Sequence, residues 1–99
     1  MELEIQKIKN ADELIIKLGG RLDTNTSPEL KKEIENLEGV EKLVFDLENL
    51  DYISSAGLRV LIIAQRIMKE QGKMIIRNVK CEIKEILEIT GFSKILTIE

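Results

Sequence analysis

The sequence predicts an α/β protein: a single-domain mixed β-sheet of about four to five strands, with helices packed on it. Three observations point there. Two short apolar segments, Leu3–Ile8 and Glu13–Leu18, flank a turn-forming tetrad and read as an N-terminal hairpin. The stretch from Lys42 to Arg77 reads strand, helix, strand. Gly39, Gly72 and Gly91 each follow an apolar stripe of helical spacing. At 99 residues there is room for one hydrophobic core, so one domain over residues 1–99 is expected.

The elements follow in chain order. Leu3-Glu4-Ile5-Gln6-Lys7-Ile8 roughly alternates, as a half-buried strand does, and Glu13 to Leu18 is more apolar. Lys9-Asn10-Ala11-Asp12 has turn chemistry, and Gly19-Gly20 interrupts the second strand pattern. A first helix opens at Ser27, a good N-cap, with Pro28 at the first helical position and Glu29 in the first turn. Leu30, Ile34 and Leu37 form its apolar stripe, and Gly39 is its expected stop. Lys42–Leu47 reads as a buried strand leading into an acidic turn with Asp46, Glu48 and Asp51. Helix two is expected over Ser55–Gln71 with Gly72 as stop, followed by a strand at Lys73–Arg77. Strand, helix and strand make a βαβ unit, which implies parallel neighbours and a right-handed crossover. A third helix over Cys81–Thr90 turns Ile83, Ile86 and Leu87 inward, and Lys94–Ile98 suggests a short final strand.

Composition narrows the function classes. The net charge is −3 and only 3% of residues are aromatic, which argues against nucleic-acid binding and for an aliphatic core. One cysteine, Cys81, cannot pair internally and fits a reducing cytoplasm. The longest apolar run, Val60 to Ala64, is far short of the roughly 20 residues a membrane-spanning helix needs. With no histidine there is no Ser-His-Asp triad, and with one cysteine no zinc cluster. No Walker-type phosphate loop is present. The expectation is a binding protein with no catalytic residues, no metal site and no cofactor.

The most informative segment is Leu43 to Met68, where Ser54-Ser55-Ala56-Gly57 stands at the start of the long helix. A helix N-terminus has unpaired N–H groups and the positive end of the helix dipole, so it accommodates a negative group. One reading is that Ser54 or Ser55 only caps the helix; the other is that one of them accepts a phosphate. Gly57 either leaves room for another molecule or eases helix packing.

Asp46 to Leu58 reads Asp-Leu-x-x-Leu-x-Tyr-Ile-Ser-Ser-Ala-Gly-Leu. This resembles the signature of STAS domains and, more narrowly, of bacterial anti-sigma factor antagonists. Gly20-Arg21-Leu22-Asp23 and Leu87-x-x-Thr90-Gly91-Phe92 also look like elements of that family. The resemblance implies the same α/β fold over most of the chain. It implies that Ser55 is phosphorylated by a partner that is both anti-sigma factor and serine kinase. Unphosphorylated, such a protein sequesters the anti-sigma factor and frees a sigma factor; a separate phosphatase resets it. Well-studied members often carry aspartate before the phosphoserine. Here that position is Ser54, which stands as a rival acceptor.

The resemblance also places the loop holding Asp23 and Thr24 beside the phosphoserine as a partner contact. Asp23 equally suits a turn in which it bonds its own backbone. On helix two, Val60, Leu61, Ile63, Ala64, Ile67 and Met68 form a wide apolar arc for the sheet. The other arc holds Arg59, Gln65, Arg66, Lys69 and Glu70, with Leu58 and Ile62 among them. Those two are either covered by a loop or the centre of a docking face. The expected partner-binding set is therefore Asp23, Thr24, Ser54, Ser55, Ala56, Gly57, Leu58, Arg59, Ile62 and Arg66. Asp23, Asp46, Glu48 and Asp51 are expected to make the surroundings of Ser55 negative, so that a phosphate repels a docked partner. A monomer or weak dimer is expected. Two alternatives remain: an unphosphorylated accessory module of a transport or signalling complex, and a scaffold subunit in a larger assembly.

Overall fold

The computed structural model describes residues 3–99, so the expected domain begins two residues outside it. Strands β1 (Leu3–Asn10), β2 (Glu13–Leu22), β3 (Lys42–Ile53) and β4 (Lys73–Arg77) form one sheet in the order β1-β2-β3-β4. β1 and β2 are antiparallel, while β2–β3 and β3–β4 are parallel. Helix α1 (Ser27–Ile34) connects β2 to β3, α2 (Ser55–Gln71) connects β3 to β4, and α3 (Cys81–Ile89) follows β4. The mixed sheet, the hairpin and the βαβ unit are as the sequence predicts.

Alternation along the strands sorts the two faces of the sheet. Leu14, Ile16 and Leu18 of β2, Leu43, Phe45 and Leu47 of β3, and Met74 and Ile76 of β4 are buried in one cluster. Leu30 and Ile34 of α1, Leu58, Leu61, Ala64 and Met68 of α2, and Ile83 and Leu87 of α3 close it from the helical side. The core is aliphatic apart from Phe45, as the low aromatic content requires.

Several expected boundaries move. Gly19-Gly20 does not end β2. The strand runs on to Leu22 through two register shifts against β3, and a side chain on Gly19 would crowd the Glu4 carboxylate at 3.3 Å. β3 likewise continues past Leu47 to Ile53, so the acidic segment is strand, because β2 supplies its backbone partners as far as Leu22. The cap of α1 is Thr26, not Ser27. That helix ends at Ile34 rather than near Gly39; Leu37 and Val40 are buried in the following turns, whose carbonyls each accept from Gln71 Nε2 at 2.7 Å. Gly72 ends α2 as expected, because a side chain there would collide with the Glu41 carbonyl. In place of the final strand there is a 3₁₀ turn at Phe92–Lys94 and a single parallel bridge between Ile76 and Ile98. Only Thr97 and Glu99 bond to the backbone of Ile76, too short a run for a strand.

Candidate functional site

The chain leaves β3 at the buried Ile53, and the Ser54 N–H donates to the Leu22 carbonyl at 2.9 Å. That bond ties the start of α2 to the end of β2. Ser54 is in the extended conformation of an N-cap, and its hydroxyl accepts from the Gly57 N–H at 3.4 Å. Ser55 is the first helical residue and is exposed. Capping and presentation are thus divided between the two serines.

Gly57 is buried, and its lack of a side chain serves packing. An added Cβ would lie 2.7 Å from Leu22 Cγ and 2.9 Å from the Leu22 carbonyl. Ala56 is half-buried. Of the two apolar residues in the polar arc, Leu58 is covered, with 2% of its surface exposed, and Ile62 is half-buried. The wide apolar arc is confirmed at Val60, Leu61, Ala64 and Met68, which are buried.

Ser55, Leu58, Arg59, Ile62 and Arg66 line one cavity of about 340 Å³, open to solvent, between α2 and the segment after α3. Thr90, Phe92 and Ile95 form its opposite wall. No periodicity or motif in the sequence marks this wall as one surface. Thr90 and Phe92 were visible only as part of a family-like motif, and Ile95 was expected in a strand. Asp23, Thr24, Ser54, Ala56 and Gly57 do not line the cavity. Lys69 is exposed and lies outside it as well.

The loop after β2 folds on itself. Asp23 Oδ1 accepts from the backbone N–H groups of Thr26 at 3.1 Å and Asn25 at 3.0 Å. The Thr26 hydroxyl donates to the Arg21 carbonyl at 2.8 Å and accepts from the Asp23 N–H at 2.9 Å. The Thr26 N–H is the main influence lowering the Asp23 carboxyl below the usual carboxylate range. Partial burial opposes it, and the Thr26 hydroxyl, the Asn25 N–H and Arg21 add to it. Asp23 is therefore a turn residue, whatever else it contacts. Arg21 also lies over the Tyr52 ring at 4.3 Å, a contact with no sequence signal.

Three of the carboxylates expected to surround Ser55 have cationic partners of their own. Asp46 is buried in β3, where it accepts from Asn78 Nδ2 and the Glu48 N–H, each at 3.1 Å, with Arg77 Nε at 3.6 Å. Burial alone would raise its carboxyl, but Asn78, the Glu48 N–H, Arg77 and Lys17 outweigh it and hold it below the usual range. Asp51 pairs with Lys80 at 2.6 Å and Asp23 with Arg21 at 3.6 Å. Position in strand and neighbouring cations, neither visible in a charge count, give three of the four carboxylates a pairing partner. No cluster of potential metal ligands occurs among the described residues.

The family profile described as STAS domain matches residues 2–99. The chain belongs to the STAS domain family. BtrV of Bordetella bronchiseptica, which carries the name of an anti-sigma factor antagonist, is 36% identical over 99% of this chain and 85% of its own. The anti-sigma F factor antagonist of Paenibacillus polymyxa is 28% identical over 99% of this chain and 87% of its own. Among solved structures, an anti-sigma factor antagonist from Mycobacterium paratuberculosis superposes with a TM-score of 0.87 at 17% identity, covering 98% of this chain and 85% of that one. SpoIIAA in its unphosphorylated form gives 0.77 at 16% identity over 97% and 87% of the two chains. At these identities the structures establish the fold.

Proposed function

We propose that this protein is an anti-sigma factor antagonist switched by phosphorylation of Ser55. Unphosphorylated, it binds an anti-sigma factor that is also a serine kinase, and so releases a sigma factor. The kinase transfers the γ-phosphoryl group of its bound nucleotide to Ser55 Oγ. An O–P bond forms, the bond to the nucleoside diphosphate breaks, and the hydroxyl proton goes to a base of the kinase. The modified protein lets go, and a separate phosphatase resets it. The chain acts as a one-domain binding module in the cytoplasm, monomeric or weakly dimeric, without catalysis of its own. The partner surface comprises the Asp23–Thr24 loop, Ser55 and the groove-lining residues of α2.

The observation that carries this reading is the division of labour at the α2 start: Ser54 caps, and Ser55 stands exposed at the first helical position. The relatives' names support the class, and the neighbour SpoIIAA has been solved in a phosphorylated form of the same fold, with a TM-score of 0.76. Intact mass of the protein from its own cells, with fragmentation across Ser54 and Ser55, tests the assignment. A single phosphate on Ser55, lost in Ser55→Ala, is the expected result. Phosphate on Ser54 overturns the residue assignment.

The alternative is an unphosphorylated accessory module of a transport or signalling complex. Its support is that the fold also occurs within a murine anion transporter, with a TM-score of 0.72 over 88% of this chain and 15% of that one. Absence of phosphate under growth and stress, with a transport ATPase co-purifying, favours that reading.

A further inference from the structure

Arg59 and Arg66 are exposed on α2, and none of the ion pairs among the described residues involves either. The same pairs engage Lys7, Arg21, Lys42, Arg77 and Lys80. In a chain of net charge −3, two unpaired guanidiniums on one apolar groove are a distinct feature. Ser55, Arg59, Ile62 and Arg66 stand at i, i+4, i+7 and i+11, so they form one stripe along the helix. All four line the same cavity.

Resting on the reading that Ser55 is the modified residue, we infer that Arg59 is an anion-exchange point. While Ser55 is free, Arg59 binds a carboxylate of an acidic amphipathic segment of the partner. Once Ser55 is phosphorylated, Arg59 binds that phosphate instead.

Three features carry the inference. First, helical side chains lean toward the N-terminus, and residues four apart have Cβ atoms about 5–6 Å apart. The Arg59 guanidinium therefore reaches the place where a phosphate on Ser55 would sit. Its planar fork matches phosphate and carboxylate equally well. Second, Arg66 lies two turns beyond Arg59, about 10 Å along the axis, and cannot follow. The two arginines bracket Ile62, which faces Phe92 and Ile95 across the groove. A helix with two carboxylates about 10 Å apart and an apolar residue between them complements this stripe. Third, the carboxylates nearby are already engaged, Asp46 with Arg77 and Asn78, Asp51 with Lys80 and Asp23 with Arg21. None of these ion pairs involves Arg59.

The test uses the full chain with phosphoserine installed at position 55 during synthesis, so it does not depend on whether cells phosphorylate Ser55. The second ionisation of the phosphate, ordinarily near pH 6, is followed by ³¹P NMR. Arg59→Gln should raise its midpoint by about 0.3–0.5 pH units, and Arg66→Gln should leave it in place. Equal midpoints in the Arg59→Gln variant and its parent overturn the inference. The partner arm uses a synthetic helical peptide with two Glu seven positions apart and Leu between them. It should shift the side-chain N–H resonances of Arg59 and Arg66 and bind the phosphorylated chain about tenfold more weakly. Equal binding of a Lys-for-Glu peptide, or unshifted arginine resonances, overturns the partner chemistry. Failure to find phosphate on Ser55 in cells would sink the proposed function and leave the titration result standing.

Discussion

Helices α1 and α2 both begin with neighbouring hydroxyl residues after a β-strand, and they use them in opposite ways. At α1, Thr26 and Ser27 are buried, with 3% and 7% of their surfaces exposed. The Thr26 hydroxyl is consumed by the turn around Asp23, and Thr26, although the N-cap, makes no side-chain cap bond. At α2, Ser54 caps through its side chain and Ser55 is exposed. The difference is set by what lies in front of each helix. The Asp23 turn folds over the α1 start and claims its polar groups. Ile53 and Ser54 instead enter α2 directly from a strand whose neighbour bonds the Ser54 amide. At α2 the capping falls to Ser54, which leaves the Ser55 hydroxyl exposed.

The comparison can be broken most severely at Gly57, which lets the α2 start sit on Leu22. Gly57→Val should cost about 3 kcal/mol, read as a lower urea midpoint, because the nearest obstacles include a backbone carbonyl that cannot turn aside. An unchanged midpoint would mean that α2 is not seated as described. Thr26→Val removes a buried hydroxyl with two well-made bonds and should cost about 1–3 kcal/mol in the same assay. Ser54→Ala removes a single long cap bond and should cost about 0.5–1 kcal/mol. A larger loss from Ser54→Ala than from Thr26→Val would reverse the contrast between the two helix starts.

Acid sharpens the same contrast. The Asp23 carboxyl titrates below its ordinary value of 3.8 in the folded chain. Its bonds therefore contribute stability that is present above the unfolded-state value and is lost as pH falls through the folded one. The Thr26 and Asn25 amide resonances should titrate with a midpoint below 3.8, while that of Gly57, which rests on a hydroxyl, should not follow them. The smallest effect belongs to Ser55→Ala. An exposed side chain without a bonded partner should change stability by less than about 0.5 kcal/mol. A larger loss by thermal unfolding would show that Ser55 is structural.

Much of this molecule was legible in the residues. The hairpin, α2 with its Gly72 stop and the βαβ unit follow from apolar period and turn chemistry, signals that act over a few residues. Errors collected where distant chain supplies the partner. Gly19-Gly20 looks like a break because glycine disfavours strands, yet β3 provides the missing backbone bonds. The acidic segment looked like a turn because its carboxylates suggest solvent, yet Asp46 is satisfied by Asn78 and Arg77 from β4 and just beyond it. Alternation from Lys94 to Ile98 suggests a final strand, yet Phe92–Lys94 form a 3₁₀ turn and only Ile98 bridges the open edge of β4. At the site, the motif pointed to the serines and α2 but not to the wall formed by Thr90, Phe92 and Ile95.

By itself, then, the sequence determined the α/β class, the order of helices and strands, the aliphatic core, and Ser54-Ser55 as the place to look. Each of these rests on periodicity, capping and side-chain type, which the chain carries locally. The tertiary structure alone decided which serine is exposed, that Gly57 serves packing, that Leu58 is covered, that Asp23, Asp46 and Asp51 pair with cations, and that Arg59 and Arg66 line an apolar groove. Those outcomes depend on residues far apart in sequence coming together, such as Leu22 with Gly57, Asp46 with Asn78, and Ile62 and Ile95 on one cavity. Burial and pairing belong to the folded arrangement, and no local pattern of residues encodes them.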